Sequence, residues 1–158
     1  MSEIIMALNT RWEIKKKWVC DVCNGVIQSD KDGMLEWDKV YNKLTPIDMS
    51  STQNNFRIVH GRWTKQCLEN RSEDNLADGH LHWYTVPDGL NKLLGKLLEP
   101  GVGRYSLVTT IRRLHVDLYE EALTVLPFAI EDGYEVEEEG YIPQGDMDWL
   151  VRKYGKKS

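Results

Sequence analysis

A chain of 158 residues with 41% apolar and 28% charged side chains has room for one packed core, or for one core with a small appended lobe. Its net charge of −5 is unevenly spread: residues 1–67 hold ten Lys/Arg against eight Asp/Glu, and residues 68–158 hold ten against seventeen. That balance argues against the concentrated basic face of a nucleic-acid module, and no apolar run approaches the ~18–20 residues that span a bilayer.

Met1 to Leu8 carry an acid and lack a basic n-region, so they do not read as a signal peptide. The expected compartment is the cytoplasm, where thiols stay reduced. Trp12, Ile14, Lys16 and Trp18 alternate with Glu13, Lys15 and Lys17, which predicts a strand over Arg11–Cys20. Lys15, Lys16 and Lys17 then form a charged, solvated edge.

Cys20-Asp21-Val22-Cys23 follows, and Asn24-Gly25 behind it supplies a tight turn, because both residues tolerate positive φ. Two cysteines so spaced can face one ion. With three cysteines in the whole chain, a four-coordinate zinc site must draw on a histidine. The predicted ligand set is Cys20, Cys23, His60 and Cys67 around a structural Zn2+, with His80 or His82 as replacements for His60. A thioredoxin-like redox pair is the alternative, but that motif opens a helix, whereas here Val26-Ile27 reads as a strand. A disulfide would leave one cysteine over.

Ser29–Gly33 reads as a turn, Met34–Trp37 as a strand and Phe56–Val59 as its antiparallel partner. The polar stretch Asp38–Asn55, with Pro46, is expected to be a long loop. Glu69–Asn75 reads as a linker. His80 and His82 would share one side of an extended segment. Pro87-Asp88-Gly89 opens a helix with a stripe of Leu90, Leu93, Leu94, Leu97 and Leu98, closed by Pro100-Gly101. Leu107, Val108, Ile111 and Leu114 line a second helix. Asp117 to Glu120 has capping-box form and restarts a third, which Pro127 should kink or shorten. Glu135–Glu139 is an acidic, solvated run, with a surface for a basic partner as the sharper alternative. Asp146–Tyr154 is the last helix. The predicted class is α+β: a zinc-bound antiparallel β lobe over 1–84, then about four helices over 85–158 packed on it.

The ordered pieces CDVCNGVI, DGMLEW, FRIVHG, a following Cys, PDGLNKLLGKL and RRLHVDLYEEAL span most of residues 18–132. This order resembles a family of small, uncharacterised bacterial proteins. The resemblance implies the domain layout and the choice of His60 and Cys67, and it implies no activity.

No Gly-rich phosphate loop, GxSxG elbow or HExxH is present. The expected function is therefore a zinc-stabilised, non-enzymatic module of bacterial or phage type that binds another protein. Six Trp and seven Tyr are more than a small core readily encloses, which suits a contact surface. A nucleic-acid regulator using Lys15, Lys16, Lys17, Arg57, Arg62 and Lys65 is the first alternative. An HNH-like metal nuclease, with His60 as base, is the second. No membrane association is expected.

Overall fold

The computed structural model describes residues 17–41 and 51–155. Two antiparallel sheets come first. A small hairpin pairs β1 (Trp18–Val19) with β2 (Val26–Ile27), and a three-stranded sheet has β3 (Gly33–Tyr41) between β4 (Ser51–His60) and β5 (Leu76–His80). Four helices follow among the described residues: α1 (Pro87–Lys96), α2 (Arg104–His115), α3 (Tyr119–Glu131) and α4 (Gln144–Tyr154). The chain is thus α+β. No helix among the described residues is long and apolar enough to cross a membrane.

The expected pairing of Met34–Trp37 with Phe56–Val59 is present, with Leu35 opposite Ile58 and Met34 opposite Val59. The expected long loop is much shorter. Strand continues through Asp38–Tyr41 on one side and Ser51–Asn55 on the other, past a register shift between Glu36 and Asp38. A buried hydrogen bond holds this extension, since Trp37 Nε1 donates to Gln53 Oε1 at 2.9 Å. Gln53 is also zipped to the turn before α2: its N–H donates to Gly101 and its carbonyl accepts from Gly103. Residues 42–50, the remainder of that loop, lie outside the described residues. So do Lys15, Lys16 and most of the expected strand over Arg11–Cys20, of which Trp18–Val19 is seen.

The interior falls into two apolar clusters. One joins Trp18, Ile27, Leu35, Ile58 and Leu81 to Leu93, Leu107 and Leu114 of α1 and α2. The other joins Tyr119, Ala122 and Ala129 of α3 to Ile142, Met147 and Leu150. Over α1 and the turn that follows it, only part of the leucine stripe turns inward. Leu93 is fully buried, while Leu94 and Leu98 face water.

One helix expectation needs correction. Asp117 is not the N-cap of α3: Leu118 holds that position in the left-handed region, at φ 63°, with no side-chain cap. Glu120 is drawn inward instead, as described below. Pro127 lies inside α3, which is not shortened there and runs on to Glu131. His80 and His82 are not on one extended segment, because the strand ends at His80 and Leu81–Trp83 forms a 3-10 turn.

Gly89 shows why α1 starts where it does. It is buried against the preceding turn, and a Cβ there would collide with the Trp83 carbonyl and the Tyr84 backbone. Alanine usually favours a helix over glycine by about 1 kcal/mol. Here Gly89→Ala is expected to lower stability by about 1–3 kcal/mol, because backbone must move to admit the methyl group. Urea unfolding of the two proteins checks this. A gain in stability would show that the approach of α1 to Trp83 is not tight.

Candidate metal centre

Four elements bring the donors together. Cys20 and Cys23 flank the turn between β1 and β2, His60 ends β4, and Cys67 lies in the segment that leaves it. In the knuckle Asn24 adopts φ 60°, as the Asn-Gly pair predicts, and the Asn24 N–H donates to the Cys20 carbonyl at 2.9 Å. A Cβ on Gly25 would sit 3.2 Å from Cys23 Sγ and 3.5 Å from His60 Cε1, so glycine lets the turn close over the donors.

Asp21 sets the knuckle's position on the sheet. Its N–H donates to the Ile58 carbonyl at 2.9 Å, and its carboxylate accepts from the Ile58 N–H at 2.8 Å. Ile58 is two residues before His60, so this bracket fixes the cysteine pair relative to the histidine. Cys67 reaches the site through an unusual backbone. Both Lys65 and Cys67 take positive φ, at 60° and 49°, a conformation that costs an ordinary residue about 1–2 kcal/mol.

All four donor atoms lie within 4.8 Å of one another, and no disulfide joins the cysteines. Cys20 Sγ is 3.7 Å from Cys67 Sγ, and His60 Nδ1 is 3.4 Å from Cys23 Sγ and 3.7 Å from Cys67 Sγ. An ion bound tetrahedrally at about 2.3 Å to sulfur and 2.0–2.1 Å to nitrogen has edges of roughly 3.6–3.8 Å. The observed separations are of that size. His60 Nε2 lies 3.2 Å from the Val26 carbonyl. A carbonyl only accepts, so Nε2 carries the proton and Nδ1 presents a lone pair to the sulfurs. This outer hydrogen bond is the usual way a ligating histidine is oriented.

The thiols are unequal. Burial works against a thiolate at Cys20, but the Cys23, Val22 and His60 backbone N–H groups, with the Cys67 thiol, outweigh it and lower Cys20 to about 7. Burial and the neighbouring Cys20 and Cys23 sulfurs push Cys67 up to about 11. One negative charge is welcome in this cluster and a second is resisted, which is the electrostatics a cation would relieve. The cluster can hold a metal ion.

His80 and His82 are not in the cluster. His80 packs against Trp63 and Trp83, with ring centroids 4.7 and 4.6 Å apart, and His82 lies against Trp83. His115 Nε2 donates to the Tyr84 carbonyl at 2.7 Å.

Two charged groups around the site were not singled out by sequence reasoning. Arg113 of α2 clamps the hairpin to the helices. It donates to Glu120 through Nε and Nη2, to Asp21 Oδ2 at 2.6 Å and to the Val19 carbonyl at 2.9 Å. Burial opposes its charge, yet Glu120 and Asp21 raise its affinity for the proton. Glu120 also accepts from the Val19 N–H at 3.0 Å. The second group is Glu36, almost fully buried and facing Arg57, Arg62 and Arg71 at 2.9, 2.9 and 3.3 Å. Arg71 donates in turn to the His60 carbonyl at 2.7 Å. A lone acid in the apolar run Met34-Leu35-Glu36-Trp37 was the available signal for it. Arg113 gave none, because it sits beside Arg112 in an ordinary polar helix pattern. No protein-family model matches the chain, and no curated protein or solved structure does either.

Proposed function

We propose that the protein is a zinc-stabilised, non-catalytic module that binds another protein in the reducing cytoplasm. The observation that carries this reading is the donor set. Three cysteines and one oriented imidazole converge on one point, and soft thiolates favour zinc over the hard cations magnesium and calcium. Four protein donors leave no position for a substrate or an activated water. Exposed aromatics beside the site supply a contact surface: Trp63 and Trp83 remain 47% and 54% exposed.

The alternatives find less support. Of the bases expected to meet nucleic acid, Arg57 and Arg62 turn onto the Glu36 carboxylate, which leaves less charge for phosphates. A nuclease would need His60 as a free base, yet its Nδ1 faces the sulfurs and its Nε2 is bonded to Val26.

Cobalt substitution tests the reading. Zinc should be present at one ion per chain. The cobalt-loaded protein should show the intense visible absorption of a four-coordinate, thiolate-rich site, unchanged by added azide or imidazole. A spectrum that shifts with either anion or base would reveal an open position and defeat the non-catalytic assignment.

A further inference from the structure

The two edges of the three-stranded sheet are treated differently. The backbone bond from Lys39 N–H to the Asn75 carbonyl, at 2.7 Å, sets which groups of β5 face β3. Hydrogen-bonded pairs alternate in an antiparallel ladder. With Trp37 opposite Ala77 and Leu35 opposite Gly79, Ala77 and Gly79 face β3. The backbone groups of Leu76 and Asp78, and the N–H of His80, therefore point away from the sheet.

The same alternation turns Phe56 and Ile58 of β4 outward, and there the groups are covered. Phe56 N–H donates to Ser106 Oγ, Ile58 N–H donates to Asp21, and the Ile58 carbonyl accepts from the Asp21 N–H. On β5 the outward groups of Leu76 and Asp78 have no partner among the described residues, and no strand there pairs with that edge. An open ladder edge recognises one thing well, an extended backbone.

The side chains along this edge have a sign. Glu73, Asp74 and Asp78 are all exposed, and the arginines nearest them, Arg62 and Arg71, are taken up by Glu36, which stands opposite Asp78. Leu76, Asp78 and His80 share one face of the strand. On that face His80 lies between the rings of Trp63 and Trp83, two half-exposed platforms suited to a cation. A second copy of the chain fits poorly. Full overlap of two antiparallel β5 edges sets Asp78 opposite Asp78 of the other copy, and like charges directly opposite are unfavourable.

We propose that the free edge of β5 accepts, as an added strand, an extended basic segment of a partner protein. This rests on the interaction-module reading above and names the kind of partner. Lysine or arginine at every second position would lie over Asp78 and the tryptophans, and small apolar residues between them would lie over Ala77 and Gly79.

The probe is the acetylated, amidated hexapeptide of alternating lysine and valine, added to the zinc-loaded full chain. Amide exchange at Leu76, Asp78 and His80 should slow at least roughly tenfold, as new ladder bonds require. The same peptide with its edge-facing amides N-methylated should not bind. Asp78→Pro removes one outward donor and is tolerated on an edge strand; it should abolish binding without loss of zinc. Asp78→Asn should weaken binding roughly two- to five-fold. Absence of binding, equal binding of the N-methylated peptide, or protection away from β5 would each overturn the proposal. So would a dimer that Asp78→Pro dissolves, since the edge would then belong to a second copy. None of these outcomes alters the cobalt spectrum, so a failure here stays separate from a failure of the interaction-module reading.

Discussion

On the zinc reading, a zinc chelator at neutral pH is expected to unfold the knuckle and the segment after β4, and to lower the thermal transition of the whole chain. The size of the effect follows from what the ion joins. The β1–β2 hairpin has two residue pairs, far short of what stands alone in water. Cys67 is held in a left-handed backbone conformation, a cost of about 1–2 kcal/mol that a bond to its sulfur would offset. Structural zinc contributes about 10–16 kcal/mol in small zinc-dependent folds at neutral pH, against a total stability of about 5–15 kcal/mol for an ordinary domain. Trp18, Cys20 and Ile27 belong to the same apolar cluster as Leu35, Ile58 and Leu107, so loss of the hairpin opens that core to water. Tyr119, Ala122 and Leu150 lie in the other cluster, and α3 and α4 should keep their protection longest. Cys20→Ser should act like the chelator, because three donors cannot close the tetrahedron. Calorimetry with amide exchange, with and without chelator, measures both effects. A transition unmoved after verified metal removal would mean that packing alone holds the knuckle in place.

The Cys3His cluster was legible because its chemistry is local and its donors are scarce. Three cysteines and four histidines allow few four-donor sets, and the turn chemistry of Asn24-Gly25 orients the first pair. His60 could be chosen because an apolar strand ends there. The sheet was less legible because its outer parts are strand by context. Leu76-Ala77-Asp78-Gly79-His80 contains residues that strands disfavour, and only pairing with Met34–Asp38 makes it extended. The polar run Ser51–Asn55 carries no alternation of apolar residues. It is recruited by the Trp37–Gln53 hydrogen bond and by the turn at Gly101. The capping-box reading of Asp117 and Glu120 failed for a related reason. Glu120 gains more from Arg113 and the Val19 N–H than from its own helix end, and no local pattern records a partner a hundred residues away.

Glu36→Gln is expected to cost about 3–5 kcal/mol, the usual penalty for removing one member of a buried ion pair and stranding the other. The charge left buried without a counter-ion is Arg71, whose side chain is 1% exposed and keeps only the neutral His60 carbonyl. Arg57 keeps Asp38 at 3.0 Å and Arg62 keeps the Ser72 carbonyl at 2.9 Å, so neither is abandoned. The effect should carry a pH signature. Burial alone would raise the Glu36 carboxyl, but Arg57, Arg71 and Arg62 outweigh it and hold it below the usual carboxylate range. A carboxyl whose folded value is depressed contributes fully above its unfolded value, near ~4.3. That contribution is lost as pH falls through the folded value. Wild-type stability should therefore decline on acidification below that point, and Glu36→Gln should decline less, so the gap between them narrows. Arg71 also holds the His60 carbonyl, and outer contacts of this kind are commonly worth about 10–100-fold in metal affinity. Urea unfolding across the acid range, with zinc affinity measured by competition, tests both consequences. A loss under about 1 kcal/mol, or a gap that is constant with pH, would show that the three arginines hold the segment carrying Cys67 without needing the Glu36 charge.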